Sequence, residues 1–69
     1  MRKIEIHLNG DSREIDDDLS VSALLDRFGV PVAGAVVERN GEVVPMSRFG
    51  EEIVRAGDRI EIVRLMGGG

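Results

Sequence analysis

The sequence has no cysteine among its 69 residues. That excludes a disulfide framework, a thiolate metal ligand and a nucleophilic thiol, so a small core must hold without covalent staples. No stretch approaches the ~18 consecutive apolar residues of a membrane span, and Met1-Arg2-Lys3-Ile4 lacks the apolar run of a signal peptide. The expectation is a cytoplasmic protein with no membrane partner. Positive charge is scarce as well: 13 acidic residues face 9 basic ones, for a formal charge of −4. Such a surface repels phosphate backbones, which argues against nucleic acid and for an electropositive protein partner. Lys3 is the only lysine, a skew that carries no functional message.

Catalytic apparatus is equally thin. His7 is the only histidine and lies on a polar strand face with no second histidine or cysteine to complete a metal site. Asp16-Asp17-Asp18 lacks the ligand and glycine pattern of a calcium loop and is expected to be a solvated run favouring the positive end of a following helix. Ser12, Ser20, Ser22 and Ser47 have no evident base to make a nucleophile of any of them. Gly67-Gly68-Gly69 has neither the lysine nor the following helix of a phosphate loop. A chain this short buries only about 60% of its unfolded surface, leaving little room for a deep cleft. One domain that is not an enzyme, with no cofactor or metal of its own, is the expectation.

What is there reads as a folded α+β unit. Leu, Ile, Val and Phe make up about a third of the chain, above the ~20% below which disorder is the better reading. Lys3 to Leu8 alternates, with Ile4, Ile6 and Leu8 on one face, as a half-buried strand does. Asn9-Gly10 suits a type I′ turn, and Asp11 to Ile15 returns as a polar edge strand. Ser20 is placed to cap a helix carrying Val21, Leu24, Leu25 and Phe28 at helical spacing, which Gly29 and Val30-Pro31 stop. Gly34 to Arg39 is a third strand, with Ala35 and Val37 inward and Val36 left exposed. Asn40-Gly41 turns the chain into Glu42-Val43-Val44, ended by Pro45. Met46 to Gly50 reads as an irregular turn anchored by Phe49, Glu51 to Val54 is ambiguous, and Ala56-Gly57-Asp58 turns into a last strand from Arg59 to Leu65. There Ile60 and Ile62 share one face, while Glu61, Val63 and Leu65 take the other.

Two hairpins, a helix between them and a final strand predict a β-grasp arrangement: a mixed sheet packed on one main helix, with the first and last strands parallel at its centre. The domain spans 1–66, and 67–69 form a glycine tail leaving its most rigid part. Three glycines make a thread slim enough for a narrow channel in another protein.

In its ordered set of motifs the chain resembles the sulfur carrier proteins of thiamine biosynthesis, the ThiS family of ubiquitin-like β-grasp proteins. The likeness rests on Ile4-Glu5-Ile6-His7-Leu8-Asn9-Gly10, the helix around Val21 to Leu25, Asn40-Gly41 with Val44-Pro45, Gly57-Asp58-Arg59-Ile60-Glu61-Ile62, and the terminal Gly68-Gly69. Phe49, Arg39 and the extra Gly67 depart from the usual pattern. The resemblance implies that a ThiF-like adenylyltransferase uses ATP, and any metal it needs, to convert the Gly69 carboxylate to an acyl-adenylate. A persulfide donor then supplies sulfur for a Gly69 thiocarboxylate, which a ThiG-like thiazole synthase consumes. Gly67 and Gly68 would present that end. Outward Val63 and Leu65, with Val36, would form a docking patch rimmed by Arg39, Glu61 and Arg64. A carrier for molybdopterin or tRNA thiolation, or a ubiquitin-like modifier of lysines, would have the same tail and stays open.

Overall fold

A computed structural model describes residues 2–65. The alternating opening segment is β1 (Lys3–Leu8). Asn9 and Gly10 take φ of 49° and 87°, the two positive angles that a type I′ turn requires, and return the chain as β2 (Asp11–Asp16). Asn40 and Gly41 repeat the device at 53° and 87° between β3 (Ala35–Arg39) and β4 (Glu42–Val44). The last described strand is β5 (Arg59–Arg64). The sheet order is β2-β1-β5-β3-β4, with β1 and β5 parallel and the other neighbours antiparallel. The expected mixed sheet is therefore present, with β5 at its centre. β3 begins one residue later than expected because Gly34 sits at φ 80°, outside strand conformation.

The helix α1 (Val21–Arg27) is capped by Ser20, whose hydroxyl accepts the Ala23 N–H at 3.0 Å. Gly29 ends it at φ 69°. Val21, Leu24 and Leu25 are fully buried against Ile6, Ile15, Val37 and Ile60 from the sheet. Phe28 continues the helical spacing but falls on the cap residue itself and stays 39% exposed. A 3-10 turn, Met46–Arg48, drops Phe49 into the core. The ambiguous stretch after it forms a bridge, Ser20 to Ile53: the Val54 N–H donates to the Leu19 carbonyl and the Val21 N–H to that of Glu52. Val54 is fully buried as a result.

The acidic run precedes the helix, whose own first turn holds no acid. Asp16 closes β2, accepting from Lys3 Nζ at 2.6 Å and lying 3.3 Å from Arg27 in the last helical turn. The Lys3 bond, helped by the charges of Lys3 and Arg27, outweighs burial and holds the Asp16 carboxyl below its ordinary range.

Candidate functional site: the two ends and the outer face of the central strand

The start of β5 is fixed by a buried acid. Asp58, 7% exposed, accepts from Arg39 Nε at 2.9 Å, Asn40 Nδ2 at 3.0 Å and the Arg55 N–H at 2.8 Å. Asn40 Oδ1 in turn accepts the Arg59 N–H at 2.9 Å. Burial alone pushes the Asp58 carboxyl up; the Arg55 N–H, the Asn40 amide and the Arg39 guanidinium together outweigh it, so its pKa lies below the ordinary value. Arg39 also donates through Nη1 to Glu52 at 2.8 Å. This corrects the expected rim. Arg39 shares the face of Ala35 and Val37 and lies opposite Ile60, while Arg64 lies opposite Ala35; both belong to the helix side of the sheet. Of the three rim residues, Glu61 alone faces outward.

The outer face is set by register. Val36 lies opposite Val63 and Glu38 opposite Glu61, with Val43 opposite Glu38 on the far side. Val63 and Leu65 are 56% and 63% exposed, on the outward face expected for them. Val36 is half-buried rather than exposed, since its strand is flanked by β5 and β4 and the Val63 side chain stands directly across. Val43, 62% exposed, extends the apolar surface and was not expected there; only the hairpin register reveals its face. Glu38 and Glu61 are directly opposed, and among the described residues no cation forms an ion pair with either.

At its far end β5 outruns β1. Their parallel register covers only His7 with Arg59 and Leu8 with Ile60. Past that point the Ile62 N–H donates to Asn9 Oδ1 at 2.8 Å, and on the other flank the Leu65 N–H donates to the Gly34 carbonyl at 2.7 Å. Leu65 ends the described chain, so Gly67, Gly68 and Gly69 lie outside the described residues. Among the described residues no group of His, Cys, Asp and Glu could hold a metal, and His7 is exposed. An open recess of about 440 Å³ beside β4, lined by Arg39, Val44, Pro45, Arg48 and Glu52, sits at the opposite end of the sheet from Leu65. Both of its arginines are ion-paired to Glu52. No helix in the described residues is long and apolar enough to cross a membrane.

The described residues thus hold a central strand, β5, with an apolar and acidic face beside it. The model of the ThiS family matches residues 6–69, through the final glycine. The chain belongs to the ThiS family.

A crystal structure of the thiamine biosynthesis protein ThiS from Geobacter metallireducens superposes on this ThiS-family chain with a TM-score of 0.84 at 33% identity, covering 96% of this chain and 100% of that one. A solution structure of a thiamine biosynthesis protein from the same organism gives 0.79 at 35% identity, covering 96% and 88%. SAMP1 from Haloferax volcanii, at 24% identity and a TM-score of 0.56 over 99% and 100% of the chains, shares the fold alone. Two thiazole synthases, from Paramagnetospirillum magneticum and Magnetococcus marinus, are 39% and 33% identical over 66 residues, 96% of this chain. The ThiS-family chain spans only 20% of the length of each. The ubiquitin-like β-grasp expected from the motifs is thus the fold found.

Proposed function

We propose that the chain is a sulfur carrier whose Gly69 carboxyl is the working group, and that it is a co-substrate rather than an enzyme. A terminal carboxyl with a pKa near ~3.5 is a resonance-stabilised anion at neutral pH and resists nucleophiles. Activation by a partner adenylyltransferase answers that: a carboxylate oxygen attacks the α-phosphorus of ATP, pyrophosphate leaves, and an acyl-adenylate results. A persulfide sulfur then displaces AMP, and a reducing thiol breaks the remaining S–S bond to free the thiocarboxylate. A thiazole synthase takes that sulfur for the thiazole of thiamine, returning the carboxylate. ATP and any metal stay with the partner.

The observation that carries this proposal is the family match running through Gly69 on a chain whose last described strand, β5, is the central one of the sheet. The thiazole synthases that contain a segment similar to this chain support such an enzyme as the receiving partner. For docking, Val36, Val63 and Leu65, extended by Val43, offer apolar contact, and the opposed Glu38 and Glu61 suit a partner with cations around an apolar surface. Gly67 and Gly68 have no side chains to block entry of the tail.

Mass spectrometry of the protein incubated with an adenylyltransferase, ATP and a persulfide donor tests it. A terminal OH replaced by SH is the expected product. An isopeptide adduct on lysine would make the chain a modifier, and neither change would leave a plain binding module. Transfer of the sulfur to a molybdopterin or tRNA acceptor instead of a thiazole synthase would place the carrier in another pathway.

A further inference from the structure

The second half of β5 has a full strand on one side only, because β1 ends at Leu8 opposite Ile60. On the open side Asn9 stands in for a strand. Its N–H donates to the Ile60 carbonyl at 2.9 Å, and its side-chain Oδ1 accepts the Ile62 N–H at 2.8 Å. Its φ of 49° is the turn conformation that asparagine tolerates better than most residues. On the β3 side the Gly34 carbonyl accepts the Leu65 N–H at 2.7 Å. A Cβ on Gly34 would lie 3.0 Å from the Leu65 carbonyl oxygen, and the residue's φ of +80° independently calls for glycine. Backbone thus meets backbone where the chain leaves the sheet.

We infer that Asn9 and Gly34 are positioning residues that set the direction in which the chain leaves β5 toward Gly69; this rests on the carboxyl chemistry proposed above. Four residues follow Leu65, and fully extended they reach no further than about 14 Å. A shift of Leu65 moves the origin of that reach by the same amount. Misplacement on the order of 1 Å can cost up to ~10²-fold in a rate that depends on near-attack geometry. Gly34 bonds Leu65, a docking residue, whereas Asn9 bonds Ile62 on the opposite face, so Asn9 is the position at which aim changes apart from docking.

The test is adenylation of the full chain by its adenylyltransferase, followed by pyrophosphate release, with affinity and Tm measured in parallel. Asn9→Gly keeps access to positive φ but removes the acceptor for Ile62, Asn9→Asp keeps the acceptor, and Gly34→Ala crowds the Leu65 carbonyl. Asn9→Gly is expected to lower kcat about tenfold with KM and Kd within about twofold of wild type, Asn9→Asp to recover most of the rate, and Gly34→Ala to lower kcat by at least as much with a weaker Kd through Leu65. Wild-type kcat in Asn9→Gly overturns the inference. So does a loss that appears in KM and Tm together, or one that Asn9→Asp fails to restore. If the wild type itself is never adenylated, the carrier proposal falls and takes this one with it; if only the variants match an active wild type, this one falls alone.

Discussion

Asp58 is the residue whose removal should cost most for the smallest change in volume. Asp58→Ala deletes the acceptor for Arg39 Nε, Asn40 Nδ2 and the Arg55 N–H together, and leaves the half-buried Arg39 with Glu52 alone. Hydrogen bonds to a charged group contribute about 1.5–3 kcal/mol each. Asn40 and Arg55 reach solvent and recover part of theirs from water, so a total near ~3 kcal/mol is the working figure. A 69-residue domain typically has only ~3–10 kcal/mol in all, so urea denaturation followed by circular dichroism should show a third or more of the stability gone, with the slope m unchanged. The pH dependence has a definite sign. Asp58 titrates below its ordinary value when folded, so its contribution is complete above the unfolded pKa of ~3.9 and is lost as pH falls through the lower folded value. Asp58→Asn cannot titrate, so the gap between wild type and Asp58→Asn should be widest near neutrality and shrink below about pH 4. Asp16 titrates in the same window but is common to both proteins and cancels in the difference. A loss under about 1 kcal/mol for Asp58→Ala at pH 7, or a gap to Asp58→Asn that stays constant from pH 6 to about pH 2, refutes the proposed role of the cluster.

Deleting Gly69, or adding one residue beyond it, should abolish adenylation while leaving the circular dichroism spectrum and Tm unchanged; normal adenylation of either protein would remove the terminal carboxyl from the mechanism. Val63→Glu sets a third carboxylate beside Glu38 and Glu61, and should weaken partner binding at least tenfold while changing stability by no more than about 1 kcal/mol, as exposed substitutions do. Unchanged affinity with a large stability loss would mean that this face is not the docking surface. Ser20→Ala removes the cap on the Ala23 N–H and should cost about 1 kcal/mol, visible as a Tm drop of roughly 4–8 °C for a domain of this size; an unchanged Tm would mean that the bridge from Ser20 to Ile53 holds the helix start by itself.

The regular elements were legible because each is fixed by neighbours in sequence. Alternation in Ile4, Ile6 and Leu8 placed β1, two Asn-Gly pairs placed the hairpins, and Ser20 with Gly29 bounded α1. What stayed hidden depends on residues far apart along the chain. Arg39 follows Ala35 and Val37 by strict alternation, yet it was expected at the rim of the outer patch; the acid that lets it sit on the helix side is Asp58, 19 positions away. Asn9 was legible as a turn residue, but not as the partner of Ile62, 53 positions away. The stretch from Glu51 to Val54 has too little periodicity to declare itself, because a single bridge and two backbone bonds to the start of α1 hold it. Val63 and Leu65 were placed correctly because an apolar residue opposite the Ile60 and Ile62 face of a one-sided sheet must look outward. The role proposed for Gly69 came from the ordered motifs of the whole chain, since three glycines alone fix no geometry.

The place of β5 between β1 and β3 has a consequence for how the molecule comes together. Without it the sheet is two separate hairpins, and an isolated two-stranded hairpin is marginal in water. The contacts that join them span 52 residues between β1 and β5, as from His7 to Arg59, and 21 to 29 between β3 and β5, and loop closure over such separations makes assembly slow relative to local structure. The strand that completes the sheet is also the one that carries the terminus. An unfolded or half-folded copy therefore lacks the pairing of Val36 with Val63, so the docking face proposed above exists only in molecules whose sheet is complete.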